Sequence, residues 1–322
     1  NADLSSISIG NTGEGYKTSV VSNRRRFVAN VKSINDKGQT VVQSDRLMYS
    51  EINKFDTFPP FNFIDIGVND GEDFVKIESY ADRLLAYKNR TLYVINVGGG
   101  SDTQWFLESE HKNMGVDFHA AVVKTDFGLA WVNKNGLFFY DGSQIRNLQS
   151  KVLESEWTSF VNDDTIIGYE PTHKHLVIVR DAAASGSTSG DAYIYSFITN
   201  SFTFIEDIVA SVIQTNIITD AYNNMTLQSG LSNLFSYDGE PDSGATFDIK
   251  LKDDDFGFPN IVKKIYGVTV EYASGASNSN GVKYFYTNDS GTKQGTANAG
   301  TLASTSNDLD VNRITFGSPL LA

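Results

Sequence analysis

The chain has 322 residues, is 40% hydrophobic and 12% aromatic, and carries a net charge of −13 from 26 basic and 39 acidic side chains. That length suffices for one large domain or two ordinary ones, and the acidic balance argues against tight binding to nucleic acid or anionic lipid. The absence of cysteine excludes disulfides, zinc–thiolate centres and thiol nucleophiles.

No apolar run approaches the ~18 residues of a membrane span, and no signal-peptide pattern opens the sequence. The 21 Phe and 15 Tyr, with no Leu/Ala/Glu/Lys-rich run of helical period, predict an all-β protein. Asn1–Ser22 is rich in Ser, Gly, Asn and Thr and reads as a loop or the tail of an element lying upstream. Arg24-Arg25-Arg26 leads into the strand-like Phe27–Val31 and reads as a solvated strand entrance or an interface set rather than a phosphate patch. After the turn Asp36-Lys37-Gly38 comes the strand-like Asp45–Ser50. Phe55–Phe63 is an aromatic connection fixed by Pro59-Pro60, because proline resists ladder pairing, and its phenylalanines need a surface to pack on.

Asp82–Tyr87, a turn at Lys88-Asn89-Arg90, and Leu92–Ile95 form a hairpin. Gly98-Gly99-Gly100 lacks the strand–loop–helix context and the lysine of a nucleotide site and reads as a flexible tip. The clearest hairpin is Phe127–Gly142: the apolar runs Leu129–Val132 and Leu137–Tyr140 flank Asn133-Lys134-Asn135-Gly136, where Asn-Gly supplies the positive φ of a tight turn. Val152–Phe160 reads as a short helix carrying Trp157. His175–Val179 pairs with Ala192–Phe197 across the low-complexity Asp181–Asp191, Thr199–Phe204 adds a strand, and Met225–Gly230 with Leu234–Gly239 repeats the hairpin.

Aligning the second strand of each hairpin puts Leu47, Leu92, Leu137, Ala192 and Leu234 in register, at intervals of 45, 45, 55 and 42 residues. The long interval contains the Asp181–Asp191 insertion. A period near ~45 with several short strands per unit is the mark of a β-propeller blade, which cannot bury its two apolar faces alone. A β-sandwich also spaces strands regularly, but without that super-period. The expectation is therefore a β-propeller with at least five blade-like repeats over residues 1–243, followed by a small, incomplete β-sandwich over 244–322. The strands expected in that second part are Ala245–Leu251, Ile265–Tyr272, Val282–Thr287 and Arg313–Phe316. A chain that opens on Asn1 and stops inside a strand-like segment reads as a piece of a longer polypeptide.

No constellation points to catalysis. His111, His119, His173 and His175 are the four histidines; the last two would project to one face of a strand, but with no acid at matched spacing they read as exposed or cross-strand rather than as a metal pair. Asp163-Asp164 and Asp253-Asp254-Asp255 lack the spacing of a calcium loop. Trp105, Trp131 and Trp157 sit in contexts that favour core packing over sugar stacking. No nucleophile elbow and no pair of carboxylates can be singled out. The reading assigns no catalytic, cofactor-binding or metal residue and takes the chain as non-enzymatic.

Asp45–Asn53 leading to Phe58-Pro59-Pro60, Asp82–Lys88 through Leu92–Ile95, and Gly136–Gly142 resemble segments of phage virion proteins. Asp255–Pro259 through Lys263–Val270 resembles the β-sandwich that follows the propeller in those proteins. The family resembled is the propeller-containing tail tube, or nozzle, protein of short-tailed phages. The resemblance implies a homo-oligomeric ring, commonly a hexamer, in the virion and assembled in the host cytoplasm. It would lie below the portal and adaptor, serve as the DNA exit conduit, and carry fibres or spikes. An acidic wall would let DNA slide, since basic contacts hold the duplex by counterion release. Two other classes stay open: a carbohydrate- or receptor-binding propeller, and a propeller glycoside hydrolase.

Overall fold

A computed structural model describes residues 15–34, 37–99, 101–180, 190–205, 216–229, 233–237, 264–273, 284–288, 291–295 and 309–321. The chain divides into two compact units, Asn1–Asp242 and Ser243–Ala322.

The first unit is a succession of antiparallel meanders, each made from consecutive strands. Sheet 1 holds β1 (Gly15–Ser22), β2 (Arg25–Ile34), β3 (Thr40–Tyr49) and β4 (Phe63–Asp65); sheet 2 holds β5 (Phe74–Tyr80), β6 (Arg83–Lys88), β7 (Thr91–Asn96) and β8 (Phe106–Lys112). Sheet 3 holds β9 (Val122–Thr125), β10 (Gly128–Asn133), β11 (Gly136–Tyr140) and β12 (Ile145–Asn147), and is followed by the helix α1 (Glu154–Phe160). Sheet 4 holds β13 (Ile166–Glu170), β14 (His175–Val179), β15 (Ala192–Ser196) and β16 (Ser201–Ile205). Sheet 5 comprises β17 (Ile218–Thr219), β18 (Met225–Ser229) and β19 (Asn233–Tyr237). All five residues of the sequence alignment fall on the third strand of their sheet: Leu47 on β3, Leu92 on β7, Leu137 on β11, Ala192 on β15 and Leu234 on β19. The recurrent hairpin is thus strands two and three, with a further strand on each side in sheets 1 to 4.

The sheets stack face to face, and the alternation of side chains along each strand makes this possible. On sheet 2, Leu84, Ala86, Tyr93 and Ile95 pack against Phe27, Ala29 and Leu47 of sheet 1. The alternate residues Leu85, Tyr87, Leu92 and Val94 pack with Leu129, Trp131 and Leu137 of sheet 3. Sheet 4 divides likewise: Ile167, Tyr169, Leu176 and Ile178 join the sheet 3 cluster, while Ile166, Val177, Val179 and Ile194 pack against Met225 and Leu227 of sheet 5. Strands with two apolar faces read as near-continuous hydrophobic runs, as Leu84–Tyr87 and Leu137–Tyr140 do. The first strands approach one another, β1 beside β5, β9 beside β13 and β13 beside β17. Polar bonds bridge these junctions: Ile77 N donates to Thr18 Oγ1 (3.1 Å), Tyr169 OH to Asp126 Oδ2 (3.0 Å), and Thr219 Oγ1 to Tyr169 O (2.6 Å).

Several expectations need correction. Gly15–Ser22 is not a loop but β1, held by its antiparallel ladder to β2; residues 1–14 lie outside the described residues. Its sequence looks loop-like because its two buried positions, Thr18 and Ser22, are polar. Lys88 is not a turn residue but the last residue of β6, which leaves Asn89-Arg90 as the connection. In the Phe127–Gly142 hairpin, Asn133 pairs with Gly136 and the turn is Lys134-Asn135, neither of which has positive φ. Gly136 belongs to β11 and has the positive φ expected of it, 155°, which an L side chain rarely adopts; an added Cβ would also lie 2.6 Å from the Asn147 side chain. Gly136→Val is therefore expected to cost ~1–3 kcal/mol through positive-φ strain and the contact with Asn147, read as a lower denaturation midpoint. Gly136→Val combined with Asn147→Ala should recover only the steric part of that loss, because the backbone strain at position 136 remains whatever the space.

The expected helix is present as Glu154–Phe160, with Trp157 and Phe160 buried. Phe58 of the aromatic connection packs on Val28, Val31 and Met48 of sheet 1, and Phe63 opens β4. Phe61 in the same connection is 88% exposed.

In the second unit, β20 (Lys264–Ala273) pairs with β23 (Leu309–Leu321), and β21 (Tyr284–Asn288) pairs with β22 (Gly291–Gly295). Ile265–Tyr272 and Arg313–Phe316 fall within β20 and β23, whereas Ala245–Leu251, Asp253–Asp255 and residues 181–189 lie outside the described residues.

Candidate functional site

The densest polar cluster sits where sheets 1 and 2 meet. Lys88, at the end of β6, is fully buried. Its Nζ donates to Asp45 Oδ1 on β3 (2.7 Å), to Asp70 Oδ2 in the β4–β5 connection (2.8 Å), and to Gly67 O (3.0 Å). An ammonium has three N–H donors, so these acceptors saturate it. Phe74 and Tyr93 present their rings to the same charge at 5.2 and 5.8 Å. Tyr93 OH donates to Asp70 Oδ2 (3.2 Å). Gly67 has φ 62°, and a Cβ there would come within 2.4 Å of Asp70 Oδ2 and 2.5 Å of Tyr93 OH. The connection must pass this close for its carbonyl to reach Lys88.

Burial pushes the Asp70 carboxyl up, but the bond from Lys88 and the N–H of Glu72 outweigh it and hold the group below the usual carboxylate range. Burial pushes the Tyr93 hydroxyl well up. A lysine with all three donors engaged and two carboxylates against it has no lone pair to offer as base or nucleophile. The cluster clamps the two sheets together. Glu72 extends it, accepting from the N–H groups of Arg90 (2.9 Å) and Thr91 (3.0 Å) and so closing the β6–β7 turn.

The arginine run is engaged locally. Arg25 donates to Ser50 O (2.7 Å) and lies over Tyr49 and Trp105, and Arg26 donates to Tyr16 OH and Ser19 Oγ. Burial, then the bond to Asp102, pushes Tyr49 up to about 12. Trp131 and Trp157 lie in the core between sheets, with Trp157 Nε1 donating to Asn133 O (3.0 Å); Trp105 packs half-buried against sheet 1. Asp163 pairs with Lys134 (2.6 Å). His111 on β8 contacts Ser109 Oγ (2.9 Å), and His119 opens a short 3-10 turn, where burial pulls its pKa down.

His173 and His175 do not share a strand: His175 opens β14, and His173 lies in the turn before it, with Lys174 at φ 59° between them. The acid missing from the sequence reading is Glu170, three residues back at the end of β13.

The Tyr140-Asp141-Gly142 ending is a carboxylate turn. Asp141 Oδ1 accepts from the N–H groups of Gln144 (3.0 Å) and Ser143 (2.9 Å) and from Ser143 Oγ (2.8 Å). Those bonds, led by Gln144 and Ser143, lower its pKa from an ordinary 3.8 to about 2. A depressed folded-state pKa stabilises the fold above the unfolded value, and the contribution disappears as pH falls from about 4 through about 2. Asp141→Asn should therefore flatten the acid limb of the stability–pH curve in that window. An acid limb identical to that of the parent chain would refute the assignment.

Among the described residues, no group of three or more His, Asp or Glu side chains is placed to hold a metal ion. No helix among them is long and apolar enough to cross a membrane. Neither the Lys88 cluster nor Glu170 was visible in the sequence reading. The available signal was a lysine directly after the apolar run Leu84–Tyr87, with the acids Asp70 and Glu72 in the connection before the preceding strand.

No protein-family model matches the chain, and no curated protein does either. Among solved structures it is similar to YCF48 bound to a D1 peptide, with 9% identity over 69% of this chain and a TM-score of 0.44. It is also similar to the Dos1 propeller, with 13% identity over 71% of this chain and a TM-score of 0.45. The chain spans 63% and 59% of the lengths of those two structures. Neither likeness bears on what this chain does.

Proposed function

We propose that the chain is a structural subunit of a short-tailed phage tail. In this reading, residues 1–243 form a β-propeller, residues 244–322 contribute to a β-sandwich, and copies assemble into a ring, as a hexamer, that serves as DNA exit conduit. The ring docks on portal and adaptor and carries fibres or spikes. The observation that carries the reading is the stack of successive meander sheets, with both faces of sheets 2, 3 and 4 committed to packing. The buried cluster around Lys88 is a saturated clamp rather than a reactive site. The sequence resemblance supplies the tail, and the net charge of −13 suits a conduit along which DNA slides.

An assembling subunit needs exposed apolar anchors on rigid supports. Phe61 is one. Its connection is fixed by Phe58 in the core and by backbone bonds from Asn62 N to Pro59 O (3.0 Å) and from Tyr49 N to Asn62 O (3.0 Å). Phe61→Ser is expected to shift the assembly toward monomer in light scattering while changing monomer stability by no more than ~0.5 kcal/mol. Unchanged assembly would remove Phe61 from the interface.

A further inference from the structure

The β13–β14 turn holds an arrangement that the structural role leaves unused. Glu170 and His175 are the closing pair of the hairpin, and the turn between them carries His173. The Glu170 side chain is 4% exposed and that of His173 is 56% exposed. Glu170 Oε1 accepts from Thr172 N (2.7 Å), and Oε2 accepts from His173 N (2.6 Å) and lies 3.1 Å from His173 Nδ1. The imidazoles of His173 and His175 are neighbours, with centroids 5.7 Å apart and planes 26° from parallel.

A carboxylate on Nδ1 fixes the tautomer. Nδ1 carries the proton and donates it to Glu170, so Nε2 presents its lone pair outward. That is how an outer carboxylate orients a metal-ligating histidine. The second ring is 5.7 Å away, centroid to centroid, a spacing at which two imidazoles can border one ion bound at ~2.0–2.1 Å.

We propose that His173 and His175 chelate a single divalent cation of the zinc type, with Glu170 as the positioning residue and water completing the shell. Imidazole donors favour zinc, nickel and copper over calcium and magnesium, which demand oxygen. The site is exposed, so the cation could be held between this turn and a neighbouring surface without altering the fold.

Calorimetric titration of the whole chain with Zn2+ at pH 7.5 and at pH 5 tests this, with Mg2+ as control. The expected result is one zinc equivalent at the higher pH that weakens at the lower pH, and no magnesium heat. His173→Ala and His175→Ala should each weaken that equivalent by ~10-fold or more, with the metal-free melting temperature of His173→Ala unchanged. Histidine ring resonances followed by NMR should shift for both residues together. Zinc binding that survives both substitutions, or no zinc binding at all, would overturn the proposal.

Discussion

Asp45→Asn combined with Asp70→Asn is expected to be among the most damaging conservative changes in the first unit, lowering stability by ~3–5 kcal/mol. Lys88 is fully buried, and among the described residues its charge is matched only by carboxylates from β3 and from the β4–β5 connection. Removing both leaves an ammonium facing two neutral amides, Gly67 O and two ring faces. Urea denaturation should show the loss as a lower midpoint at unchanged slope. Adding Lys88→Met to the double variant should restore much of the stability, because the penalty comes from the stranded charge rather than from a missing attraction. A double variant as stable as the parent, or a triple variant no better than the double, would show that the cluster does not clamp the sheets.

Trp131→Ala comes second, at ~3–5 kcal/mol. The indole is fully buried between sheets 2 and 3, edge-on to Tyr87 at 5.4 Å and stacked on Phe138 at 5.6 Å. Neighbouring β-sheets cannot close a gap of that size without breaking their ladders, so a cavity remains. Among the described residues its Nε1 finds no hydrogen-bond partner. Trp131→Phe therefore gives up ring volume but no polar bond and should cost much less than the alanine variant. Equal losses for phenylalanine and alanine would mean that the contribution lies in the N–H and not in packing.

The two predictions also mark where sequence reading succeeds and fails. Trp131 was legible as core because the alternation around it is local: Leu129–Val132 and Leu137–Tyr140 declare a hairpin within a dozen residues. The ~45-residue period was legible for the same reason, since each sheet is a meander whose strands follow in order. Lys88 was misread because its partners stand 43 and 18 positions away, and only the stacking of sheet 1 on sheet 2 brings them together. Strand β1 was misread because its buried positions are the polar Thr18 and Ser22, while its apolar Tyr16 and Val20 are only partly buried against the core and the ladder to β2 sets its register. Glu170 was overlooked as a partner for His173 because a turn, not strand alternation, turns the two toward each other. Short-range periodicity is written along the chain, whereas polar closure across sheets is written only in the fold.

The central claim is that this acidic stack of meander sheets is an assembly subunit rather than a solitary binding or catalytic domain. Electron microscopy of the purified chain, imaged alongside the Phe61→Ser variant, tests it most directly. The account predicts closed rings with a central hole for the parent and their loss in the variant. Dispersed single copies of the parent chain at all protein concentrations would contradict it.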